Sequence, residues 1–279
     1  MPESNTLRTR DSGVPPLIED PASMEALEAW IKKITAVARA GSFALTTVAY
    51  GTHPEQVADL WLPDGPGPFP TVVLIHGGGF LARFSKAIMD ANAADLVGRG
   101  YAVWCPEYRR TDLDGGPRRT TSDIESALAH LSQIEEPLDL DRVAVVGHSA
   151  GGYLALWSAG LTAVRHVIAL GAVCDLRINA RATADYARFV GGTTDEVPDD
   201  YEYLDLSRRP ASRSTQVILC GELDQPHRIR ENRDYVATAI HKGESITLEE
   251  LPATGHFAFL DPQSLGWTRA MEALEALRL

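Results

Sequence analysis

Cysteine is scarce: Cys105, Cys174 and Cys220 are the three in 279 residues. An odd number cannot be fully paired, and each thiol closes an apolar run. A disulfide-held fold is therefore not expected, and buried reduced thiols suit a cytoplasmic protein. Positive charge is short as well. Lys and Arg number 26 against 38 Asp and Glu, a formal charge of −12. That sign disfavours nucleic acid and anionic membrane surfaces as partners. No apolar run approaches the roughly 18 residues of a membrane span, and the N-terminus lacks the apolar core of a signal peptide. There is no His-Glu-x-x-His and no Cys/His cluster of ligand spacing, so no metal is expected. No Gly-x-Gly-x-x-Gly follows a first strand, so no nucleotide cofactor is implied. Neither an internal repeat nor a shift in composition marks a second domain.

What is present is a hydrophobic share of 44%, enough for a sizeable core, arranged in alternating patterns. Residues 1–18 read as a loose polar arm. Residues 19–40 read as a helix with Met24, Leu27, Trp30, Ile31, Ile34 and Val37 on one face, capped by Asp20 or Ser23. Strand patterns cover 45–50, 57–62, 71–75, 101–105, 143–146, 166–173, 216–220 and 246–251. Helical patterns cover 87–98, 122–134, the stretch after 150, 228–241 and 262–279, with 111–119 as a polar loop. Asp261 and Pro262 mark the start of the last helix. This alternation predicts an α/β fold with a mostly parallel central sheet of about eight strands, flanked by helices through right-handed crossovers. We read 19–279 as a single domain, with 175–214 as a small cap-like insertion over the carboxyl edge.

The chain is organised around residues 142–153. Val143, Ala144, Val145 and Val146 form a buried strand pattern, Gly147-His148-Ser149-Ala150-Gly151 follows at once, and a helix-forming stretch comes next. Strand, tight Gly-flanked turn and helix are the setting in which Gly-x-Ser-x-Gly is a nucleophile elbow. A side chain at Gly147 or Gly151 would collide with backbone, and the helix would aim its positive end at the serine. A second motif, His76-Gly77-Gly78-Gly79-Phe80, ends the strand 71–75. Three glycines are not needed to pack a strand end, but they let backbone N–H groups approach a ligand closely. With the elbow, this run resembles the oxyanion loop of α/β-hydrolase lipases and esterases. His76 reads as a residue that orients the loop.

A serine hydroxyl needs a base. Of the remaining histidines, His256 lies in a loop directly after the last strand, where the chain order Ser, acid, His puts the base. The acid belongs after the strand 216–220, where Gly221-Glu222-Leu223-Asp224 offers two carboxylates. Asp224, deeper in the loop, is the choice, with Glu222 as runner-up. His227 reads as a loop residue or pocket wall.

Together these motifs resemble, over about residues 45–279, the His-Gly-Gly-Gly type of α/β-hydrolase, with kynurenine-formamidase-like and prolyl-oligopeptidase-like small esterases as the nearest subgroups. Pro106-Glu107-Tyr108-Arg109-Arg110 is similar to that group, and residues 81–90 lack the pattern of hormone-sensitive-lipase-like enzymes. The resemblance implies a fold and an expected activity: a serine hydrolase for short-chain carboxylic esters or aryl formamides. Its triad would be Ser149, His256 and Asp224, with the N–H groups of Gly78, Gly79 and Ala150 as oxyanion hole and no cofactor. Phe80, Leu81, Phe84 and Tyr153 are expected as pocket walls. The charged insertion reads as a polar rim, and helix 19–40 either covers the site or packs on the flank. Two alternatives stand beside hydrolysis. One is an acyltransferase or cyclase with a non-water acceptor, and the other a non-catalytic ligand-binding protein on the same fold. The expected partner is a small ester or amide, and self-association as a homodimer is left open.

Overall fold

The computed structural model describes residues 21–277 apart from Ser42 and Thr162. The expected arm, 1–18, lies outside the described residues, as do Glu19, Asp20 and the last two residues of the expected closing helix. One sheet carries the strands β1 (Ala44–Ala49), β2 (Val57–Leu62), β3 (Phe69–Ile75), β4 (Ala102–Pro106), β5 (Leu138–His148), β6 (His166–Leu170), β7 (Thr215–Gly221) and β8 (Ser245–Leu251). Its order is β1-β2-β4-β3-β5-β6-β7-β8. The β1–β2 and β2–β4 pairs are antiparallel, and every other pair is parallel.

Alternation along each strand divides the core in two. Val73, Ile75 and Val145 face one layer, while Val72, Leu74, Ala144 and Val146 face the other. The first layer is covered by α3 (Pro117–His130), α4 (Ala150–Ser158) and α8 (Pro226–His241), through residues such as Ile124, Leu154 and Val236. The second is covered by α1 (Met24–Arg39), α2 (Asp90–Gly98) and α9 (Leu265–Ala276), through Leu27, Leu96 and Trp267. Among the described residues no helix is long and apolar enough to cross a membrane. Cys105, Cys174 and Cys220 are buried and free.

Several element bounds differ from the sequence expectation. The elbow strand starts five residues before Val143, at Leu138, because polar Asp139, Asp141 and Arg142 mask its outer end. Strand 166–173 stops at Leu170, since Gly171 turns away at φ 50. The helix 87–98 is divided into a 3₁₀ turn, Lys86–Met89, and α2. The helix 122–134 begins at Pro117, inside the expected polar loop, with proline in its first turn. The closing helix is capped by Ser264, whose side chain accepts from Trp267 N–H, and not by Asp261. Residues 175–214 form α5 (Leu176–Ala182), α6 (Ala184–Val190), α7 (Pro198–Tyr203) and a 3₁₀ turn. Their Tyr186, Phe189, Tyr201 and Leu204 join the first core layer, so the insertion is anchored by aromatics rather than laid loosely on the surface.

Candidate active site

The elbow is built by close backbone contact. A Cβ on Gly147 would run into the carbonyl of Gly151, and one on Gly151 into the carbonyl of Ile75. Ser149 between them sits at φ 57, ψ −117, a conformation few L-residues adopt. Its N–H donates to Leu170 O at 2.8 Å, and its carbonyl accepts from Tyr153 and Val173. The backbone is therefore held on both sides while Oγ projects from the strand tip.

Two further loops deliver the partners. A Cβ on Gly221 would collide with the carbonyl of Thr254, so the turns after β7 and β8 touch. Leu223 N–H donates to Thr254 O at 3.1 Å across that contact. Asp224 and His256 are thereby brought to Ser149. His256 Nε2 lies 3.0 Å from Ser149 Oγ, and its Nδ1 lies 2.8 Å from Asp224 Oδ2. Asp224 is 4% exposed. Burial raises its carboxyl, but His256, Arg228 and the N–H of Gln225 outweigh that and hold it below the usual range. Glu222 lies exposed, outside this chain of hydrogen bonds. The His256 loop is also held from beneath. His148 Nε2 lies 2.9 Å from His256 O, and burial with the neighbouring His256 pushes His148 down to about 3. His148 is thus neutral near pH 7, and its ring N–H donates to that carbonyl.

The glycine loop faces the elbow. Gly78 and Gly79 adopt φ 105 and φ 62, and their N–H groups, like that of Ala150, make no hydrogen bond among the described residues. The loop is fixed from behind. His76 places Nδ1 2.8 Å from Gly77 O and Nε2 2.7 Å from Glu107 Oε1, and Tyr108 stacks on its ring at 4.4 Å. The Tyr108 hydroxyl donates to His76 O at 2.8 Å. Burial raises the Glu107 carboxyl, yet His76, Arg110 and the N–H of Lys86 bring it below its ordinary value.

A cavity of about 190 Å³ opens over Ser149 and His256. Of the four expected walls, Leu81 and Phe84 line it and Phe80 and Tyr153 do not. Phe80, at φ 60, turns its ring into the core, where it stacks on Phe189 at 3.8 Å. Tyr153 is fully buried one helical turn below Ser149, with its hydroxyl donating to Leu204 O at 2.6 Å. Met24, Leu27 and Ile31 add to the apolar wall, so α1 covers the site, while Leu27 and Ile31 also belong to the second core layer. Asn179, Thr183, Asp185 and Tyr186 come from the insertion, and Arg228 from α8. Phe257 and Leu260 also line the cavity; their place beside His256 was a usable sequence signal. Tyr186 and Arg228 had none, because only the fold brings them near Ser149. Among the described residues no group of three or more His, Cys, Asp or Glu side chains could hold a metal ion.

Sheet order, elbow and glycine loop define the class of architecture: the chain has the α/β-hydrolase fold. The BD-FAE family model matches residues 58–191, which include both motifs. Kynurenine formamidase of Salmo salar is 24% identical over 248 residues, covering 83% of this chain and 81% of that protein. The non-reducing polyketide synthase Preu6 of Preussia isomera is 30% identical over 157 residues, half of this chain, and the match spans 7% of that protein's length. Among solved structures, a bacterial heroin esterase has a TM-score of 0.72 at 24% identity, covering 96% of this chain and 94% of that one. Esterase B from Lactobacillus rhamnosis has a TM-score of 0.72 at 20% identity, covering 91% and 95%.

Proposed function

We propose that this chain hydrolyses short-chain carboxylic esters or aryl formamides through an acyl-enzyme on Ser149. The observation that carries the reading is the hydrogen-bonded run Ser149–His256–Asp224 opening into one small cavity. His256 takes the Ser149 proton as Oγ attacks the carbonyl carbon, and Asp224 holds the imidazole tautomer and stabilises the imidazolium. The N–H groups of Gly79 and Ala150, with Gly78 beside them, receive the oxyanion. His256 then protonates the leaving group, and water repeats the sequence on the acyl-enzyme. The similarity to a kynurenine formamidase and to esterases supports this substrate range. The similarity to polyketide synthases favours a second reading, in which an alcohol or amine resolves the same acyl-enzyme.

The test is turnover of p-nitrophenyl acetate and N-formylkynurenine by the protein and by Ser149→Ala. The parent chain turns over at least one of them, and the variant, folded by circular dichroism, turns over neither. Undiminished activity in the variant would sink the assignment. Product analysis with added alcohols and amines separates hydrolysis from transfer.

A further inference from the structure

The run of hydrogen bonds through Ser149, His256 and Asp224 leaves several polar groups of the cavity unused, Tyr186 among them. Tyr186 on α6 is 6% exposed and lines the cavity together with Ser149, Gly78 and Gly79. Phe80 meets its ring edge-on, with centroids 6.1 Å apart and planes at 88°. Phe80 is in turn stacked on Phe189, so the tyrosine ring is braced from the side of the glycine loop. A Cβ on Gly79 would lie 3.9 Å from the Tyr186 hydroxyl. Ser149 and Arg228 line the same cavity. One phenol therefore shares a cavity with the nucleophile and with the loop that receives the oxyanion.

The direction of its proton follows from its neighbours. Arginine can only donate. Arg228 is buried, and one of its terminal nitrogens donates to Glu231 Oε1 at 2.6 Å. Glu231 is held in turn: its other oxygen accepts from Asp175 N–H at 3.0 Å and from Asn179 Nδ2 at 2.7 Å. The guanidinium is thus fixed on a carboxylate that cannot swing away. Such a cation can offer the phenol oxygen only a donor, which leaves the hydroxyl proton for the cavity. In the resting site Ser149 directs its own proton to His256. When Oγ bonds to the carbonyl carbon, the negative charge moves to the former carbonyl oxygen, beside the glycine loop.

We propose that Tyr186 donates a hydrogen bond to that oxyanion, as a side-chain donor beside the backbone N–H groups, and that Arg228 and Glu231 position it. The proposal rests on the serine-hydrolase reading above. A donor that meets its full charge only in the tetrahedral intermediate acts on kcat more than on KM.

The experiment compares the parent chain with Tyr186→Phe on p-nitrophenyl acetate and on its thiono counterpart, in which sulfur replaces the carbonyl oxygen. Sulfur accepts hydrogen bonds poorly, so loss of an oxyanion donor harms the ester far more than the thionoester. For Tyr186→Phe, kcat on the ester falls on the order of 10²-fold, KM changes little, and the preference for ester over thionoester contracts. Arg228→Lys keeps the charge but loses the fork, and contracts the preference part of the way. Combined with Tyr186→Phe it adds no further contraction, as expected when both act through one group. An unchanged kcat in Tyr186→Phe, or equal losses on the two substrates, overturns the donor role. Additive effects of the two substitutions overturn the positioning role of Arg228. Ser149→Ala runs alongside: if it is inactive while Tyr186→Phe keeps its preference, the tyrosine proposal alone fails. If Ser149→Ala stays active, the serine reading fails and takes the proposal with it.

Discussion

Asp224 and Glu222 stand two positions apart in one loop and differ in almost everything else. Asp224 is buried against His256 and takes the N–H of Gln225 at 2.7 Å on its Oδ1. Glu222 points to solvent. A carboxylate can orient an imidazole only where it is fixed and shielded from water, and that condition holds at Asp224 alone. Replacing Asp224 by Asn keeps the shape but offers the wrong hydrogen-bond pattern to His256 Nδ1. We expect kcat to fall by about 10⁴-fold, and Glu222→Gln to stay near the parent value. Steady-state kinetics on p-nitrophenyl acetate decides it, and a reversal of the two results would make Glu222 the orienting acid.

Helix α1 belongs to both the core and the cavity. Its Leu27 and Ile31 reach the pocket, while its far end is tied down by Arg39, which donates to Asp90 and Asp59. Thr35 adds a bond to Ala87 O at 2.9 Å. Asp90 is 1% exposed, and its Oδ1 has no hydrogen-bond partner among the described residues. Burial raises its carboxyl to about 6; Arg39 and Lys86 oppose that rise and Asp59 adds to it. The sign of the consequence follows by linkage. The folded chain holds this proton more tightly than the unfolded chain, whose Asp titrates near 3.8. Between those values the native state binds more protons, so Asp90 lowers stability as pH rises from about 4 to about 6. The full effect is on the order of 3 kcal/mol. Asp90→Asn does not titrate, so its stability relative to the parent climbs across that window and is level above it. Urea unfolding at a series of pH values measures the difference; a flat difference, or one that falls with pH, rejects the raised value.

At the scale of the whole molecule, the cavity lies where the sheet's carboxyl edge, α1 and the insertion meet. About 190 Å³ is enclosed between Leu27 and Ile31 on one side and Asn179 and Tyr186 on the other. Asp185 and Thr183 stand at the insertion side of the cavity, where a long alkyl chain would have to desolvate polar groups. We therefore expect kcat/KM to peak at acyl groups of about two to four carbons, by the cost of overfilling a packed wall. Measurement across p-nitrophenyl acetate, butyrate, octanoate and palmitate tests this, and rates that climb towards palmitate would reject a compact acyl pocket.

Residues that act through local backbone geometry were legible in the chain itself. Gly147-His148-Ser149-Ala150-Gly151 must form a sharp turn wherever a strand runs into a helix, and the glycines of 77–79 bring their N–H groups to the same edge once β3 and β5 are neighbours. Chain order then limits the base and acid to loops after β8 and β7. The alternation of strands and helices likewise determined the sheet's class, because each pattern has its own period and must bury its own face. The walls of the cavity were decided only by tertiary structure. Phe80 and Tyr153 adjoin the motifs in sequence yet point into the core, since a positive φ at one and a helical turn at the other direct them there. Ile31, Tyr186 and Arg228 are far apart along the chain, and no local signal joins them. They meet because α1, α6 and α8 each send a side chain into one cavity, and side chains that converge from separate elements leave no trace in the spacing of any one of them.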